Sequence, residues 1–86
     1  SQSQTIKDIE EQSVLVYIDS RNVISVDDEP LSDPGRLADI MRSKRMSEVL
    51  ITAHENSMHD MLVKVIDAAN EIGMQKIRVG VTKGSD

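Results

Sequence analysis

Eighty-six residues with a formal net charge of -5 are enough for one small core and leave no room for a second domain. The chain is 38% hydrophobic and 29% charged with a single aromatic, Tyr17, so it reads as a folded domain with no aromatic platform for bases or sugars, and its acidic balance argues against nucleic acid as a partner. No cysteine is present, which excludes disulfides, thiolate metal sites and cysteine nucleophiles.

Residues 1–12 (SQSQTIKDIEEQ) are polar, with Ile6 and Ile9 their only large apolar side chains. They predict a flexible tether with at most a short helical turn, read either as a frayed terminus or as a linker to something N-terminal. Val14 to Ile18 (VLVYI) has the β-branched and aromatic composition of a strand. Asp19 to Asn22 supply turn chemistry, and Val23 to Val26 form a second strand, making a hairpin. Asp27, Asp28 and Glu29 form another polar turn, after which Pro30 and Leu31 re-enter at the sheet edge. Three acids in a row raise a calcium reading, but they lack the alternating ligands, internal glycine and distal glutamate of an EF-hand loop.

Ser32, Asp33 and Pro34 open a first helix by capping and by proline's tolerance in the first turn. Leu37, Ile40 and Met41 share its apolar face, and Arg42, Lys44 and Arg45 suit its C-terminal dipole better than they suit a phosphate patch. Val49 to Thr52 form the third strand. A second helix is expected from Ser57, with Ser57 and Asp60 resembling a capping box. Met58, Met61, Leu62, Val65, Ala69 and Ile72 give it one apolar stripe, and Gly73 ends it. Ile77 to Val81 form the last strand. The expectation is an α+β domain over residues 13–83 of order ββαβαβ, a mixed sheet of about four strands with two helices packed on one face, followed by a disordered tail at residues 84–86.

The only cluster that suggests chemistry is His54, Glu55, His59 and Asp60. A zinc hydrolase needs His-Glu-x-x-His so that both imidazoles share a helix face. Here the spacing is HENSMH, and five residues rotate a helix by about 500°, separating the rings by roughly 140°. The isolated glycines form no phosphate loop, and Asp27 and Asp28 lie in a turn without an apolar pocket. The reading is therefore no enzyme, with no catalytic residues, no metal site and no cofactor.

The segment ITAHENSMHDMLVKVIDAANEIGMQKIRVGVT is similar to the C-terminal signature of the ExbD and TolR proteins, more ExbD-like than TolR-like. Ala53 matches the family alanine, His54 stands where Asp is usual and His59 takes the Tyr position. Val65, Asp67, Gly73 and Ile77 fall on the helix, cap and strand positions, and YIDSRNVISVDDEPLSDPGRLADIM resembles the family's hairpin and first helix. The resemblance covers roughly Val14 to Thr82. It implies the periplasmic domain of a single-pass bacterial inner-membrane protein, tethered through residues 1–12 to an N-terminal transmembrane helix that lies outside this sequence.

The resemblance also implies partners: an ExbB- or TolQ-like channel subunit met through the transmembrane helix, and a TonB- or TolA-like protein to which the proton-motive force is coupled. A homodimer and peptidoglycan are further implied partners. The expected docking residues are Val14, Val16 and Ile18 on the first strand, by strand addition, together with His54, Glu55 and His59 in the loop nearby. The alternative is a stand-alone regulatory or ligand-binding α/β module of the ACT-like kind, for which the same element order would serve.

Overall fold

The computed structural model describes residues 2–84. Helix α1 (Gln2–Gln12) runs directly into strand β1 (Ser13–Ile18), which is followed by β2 (Ile24–Val26) and the two-residue β3 (Glu29–Pro30). A 3-10 turn (Pro34–Arg36), α2 (Leu37–Ser43), β4 (Glu48–His54), α3 (His59–Glu71) and β5 (Lys76–Thr82) complete the chain. The five strands form one sheet in the order β3-β2-β1-β4-β5. β1, β4 and β5 are parallel, while β2 and β3 are added antiparallel on the other side of β1.

This is the expected α+β architecture with two additions, β3 and α1. β3 exists because Asp27 and Asp28 both adopt positive φ, the two-residue turn that matches strand twist in a tight hairpin. Leu31 N–H then donates to Ile24 O at 2.8 Å. The Asp27 carboxylate accepts the Leu15 N–H at 3.0 Å and lies 3.5 Å from Lys44 Nζ, so this acid closes the hairpin onto β1. Residues 2–12, expected as a tether, are helical because Gln, Glu and Lys propagate a helix well and Ser13 Oγ donates to Ile9 O at 2.7 Å where helix becomes strand. Ser1 of that tether and residues 85–86 of the expected tail lie outside the described residues.

The core sits on one face of the sheet. Val14, Val16 and Ile18 of β1, Val49 and Ile51 of β4, and Ile24 and Val26 of β2 alternate with half-buried neighbours. They pack under Leu37 and Met41 of α2 and Val65 and Ala69 of α3. Each Val, Ile, Leu or Met so buried contributes about 1.5–3 kcal/mol, which explains how a core without Phe or Trp suffices. On the opposite face Glu10 of α1 borders a shallow cavity of about 220 Å³ with Leu15, Tyr17, Leu50 and Thr52.

The helix ends follow local rules with one correction. Asp33 Oδ1 accepts the Gly35 N–H at 3.0 Å, as a cap should. Gly73 takes φ +78 while Met74 N–H reaches Ala69 O at 3.0 Å and Gly73 N–H reaches Asn70 O at 3.1 Å, a Schellman closure. The capping box expected at Ser57 does not form: α3 begins at His59, and Ser57 Oγ donates instead to His54 O at 2.7 Å. The helix gains its acceptor from a distant loop, since Asn22 Oδ1 receives the Met58 N–H at 2.6 Å.

Candidate partner-docking edge

A strand accepts a new neighbour only where its backbone groups are unpaired. β1 fails this test because it is hydrogen-bonded to β2 on one side and β4 on the other. Val14, Val16 and Ile18 are at most 1% exposed and hold the core, so the docking role expected of them has no surface to act through. Strand addition to β1 would require it to be an outer strand of the sheet. The parallel pairing of β4 onto β1 makes it the central one.

His54, Glu55 and His59 do share one end of the molecule, at and beyond the C-terminal ends of β1 and β4, but with different surroundings. His54 is the last residue of β4 rather than a loop residue, and is 5% exposed. Its Nδ1 accepts the Asn56 N–H at 3.0 Å, so the ring is protonated on Nε2, which donates to Gly84 O at 2.5 Å. Both ring nitrogens thus tie the β4–α3 loop to the segment after β5. Glu55 is exposed, while its N–H donates to Thr82 O at 2.8 Å. His59 is exposed in the first turn of α3. Among the described residues, no group of three or more His, Asp or Glu could hold a metal ion.

The outer positions of the sheet are β3 and β5. β3 is two residues long and contains Pro30, a blunted edge. β5 is seven residues long without proline. Glu55 N–H donates to Thr82 O and Lys76 N–H to Ser47 O, so the even-numbered residues of β5 face β4. By the alternation of a strand, the N–H and C=O groups of Ile77, Val79 and Val81 point outward.

The side chains of those same residues lie on the helix face, because Ile77, Val79 and Val81 pair with Val49, Ile51 and Ala53. α3 does not reach over them fully: Val79 is 46% and Val81 68% exposed. Lys76, Arg78 and Lys83 flank this strip in a chain that is acidic overall, and Arg78 is held by Glu48 through a contact of 2.6 Å. Sequence reasoning missed this site. The β4–α3–β5 order signals only that the last strand neighbours β4; that it lies at the outer position is set by β1 occupying the other side of β4.

Among the described residues the sheet thus ends in one seven-residue strand with no strand neighbour on its outer side and with Val79 and Val81 exposed on its rim. The family model described as biopolymer transport protein ExbD/TolR matches residues 1–84, and the chain belongs to the ExbD/TolR family. No curated protein matches it. The family is transport-related and anchored in the inner membrane, and no helix among the described residues is long and apolar enough to cross a membrane.

Proposed function

We propose that this chain is the periplasmic domain of an inner-membrane motor subunit that couples the proton-motive force to a TonB- or TolA-like partner. It works as a homodimer and takes an extended segment of that partner by strand addition. An ExbB- or TolQ-like channel subunit meets the same protein through a transmembrane helix preceding α1. The observation that carries this reading is the outward row of N–H and C=O groups on Ile77, Val79 and Val81 in a chain of this family. Strand addition draws affinity from such groups and specificity from the alternating side chains beside them.

Glu55 and His59, exposed beyond the C-terminal end of β5's neighbour β4, are the candidate contacts for the end of the captured segment. His54 acts from beneath, fixing the loop that carries Glu55. The test is made in the full-length protein in cells. Val79→Lys should abolish energy-dependent transport at unchanged protein level, while Val63→Lys, at an exposed position on α3, should leave transport within about twofold of normal, as surface changes usually do. Normal transport with Val79→Lys would overturn the docking role of β5.

A further inference from the structure

The helix layer is not closed between α2 and α3. Ala38 of α2 and Ala68 of α3 line a cavity of about 380 Å³ that reaches down to Ile24 and Leu37, with Pro34 and Gly35 of the 3-10 turn also on its wall. We infer that this groove binds a short extended segment of another protein, with an acidic side chain at one end, a basic one at the other and an apolar one between.

The space follows from side-chain size. The residues that α2 and α3 turn toward the gap are alanines, both half-buried, and a larger aliphatic side chain at either position would fill it. Ile24 and Leu37 beneath are 2% and 3% exposed, so the floor is apolar and continuous with the core. A gap over apolar atoms forfeits dispersion contacts, which an entering apolar side chain restores.

The rim supplies the charges. Lys64, Asp67 and Glu71 border the cavity along one flank of α3. Among the described residues, none of these three side chains takes part in an ion pair or a hydrogen bond. Elsewhere the chain does pair its charges, Arg42 with Asp39, Lys44 with Asp27 and Arg78 with Glu48. The groove is therefore bordered by an ammonium at one end and two carboxylates at the other. An occupant of complementary charge is acidic toward Lys64 and basic toward Asp67 and Glu71.

Length decides the conformation of the occupant. From Lys64 to Glu71 the rim runs about 10.5 Å along the helix. A helix about 10 Å across laid along it would occupy roughly 800 Å³, twice the space, whereas an extended chain covers the distance in about three residues. Through Ile24 the cavity lies over β2, three strands away from β5 in the sheet, or about 14 Å. A segment held here leaves the β5 edge open, so both sites can be filled at once.

The probe is a set of N-acetylated tetrapeptide amides with Glu at one end, Lys at the other and Leu or Val in both middle positions, made in both directions. Added at millimolar concentration to the isotope-labelled chain, they should shift the backbone amides of Ala38, Lys64, Ala68 and Glu71 and leave those of Val79 and Val81 in place. Ala68→Leu fills the cavity with a good helix former and should weaken binding about tenfold or more. Ala38→Leu should do the same from α2, so a folding defect in one variant does not decide the result. Glu71→Gln should weaken binding about twofold to fivefold, the worth of an exposed ion pair. Replacing Lys of the peptides by Glu, or their middle residues by Ser, should remove the shifts. Binding unchanged in Ala68→Leu and Ala38→Leu alike, shifts centred on β5, or no shift with any probe would overturn the inference. Shifts of Ala38 and Ala68 produced by raising the concentration of the chain alone would give the groove to a second copy and overturn it as well.

Discussion

Asn22 shows how much of this fold depends on single polar side chains. It has φ +66, a conformation that Asn tolerates and Ala does not, and its carboxamide oxygen caps α3 from 36 residues away in sequence. Asp19 braces the same turn, with Oδ1 accepting Arg21 N–H at 2.8 Å and Val23 N–H at 2.9 Å. Asn22→Gly should lose the cap alone, costing about 1 kcal/mol. Asn22→Ala should lose the cap and add left-handed strain, costing about 2–3 kcal/mol. Urea denaturation of the two variants checks the order, and equal midpoints would show that the backbone conformation is not under strain. His54 is a comparable case: the spacing of HENSMH argued against a metal, and the structure shows an imidazole used as a structural bridge between loop and tail.

At the scale of elements, core strand and edge strand differ in what a substitution does. Ile51 of β4 is fully buried, and Ile51→Ala should destabilise by about 2–5 kcal/mol. Its register partner on β5 is Val79, where Val79→Lys should change stability by less than about 1 kcal/mol, because the side chain already reaches water and edge strands accept lysine. Chemical denaturation of both separates a packing residue from an exposed edge residue one strand apart. α3 and β4 were legible in the sequence because period and composition are local signals: the stripe from Met58 to Ile72 and the run at Val49 need no knowledge of neighbours. The start of α3 was misjudged by two residues, because its first acceptor comes from Asn22 on another loop. α1 was missed because Ile6 and Ile9 are too sparse to declare an apolar face.

At the scale of the whole molecule, strand order is what the sequence conceals. The composition of VLVYI reports burial but does not say on how many sides, and a first strand in chain order became the central strand in space. The family membership was readable from the pattern around Ala53, Gly73 and Ile77. The docking edge was not, because it is defined by which strand lacks a neighbour, a property of the assembled sheet. That single long edge, with β3 too short and proline-bearing to compete, gives the sheet a polarity, and it is why the proposed docking is assigned to the β5 side.

The central claim, that the outer side of β5 is where this domain takes another chain, is tested most directly by residue-resolved amide hydrogen exchange. In the dilute free protein Arg78, Gly80 and Thr82, whose amides face β4, should be protected, while Ile77, Val79 and Val81 should exchange as open amides. On assembly with a second copy or a partner segment, the three odd-numbered amides should gain protection of at least about tenfold while those of α2 and β3 stay unchanged. Assembly that leaves Ile77, Val79 and Val81 as open as in the free protein would contradict the account.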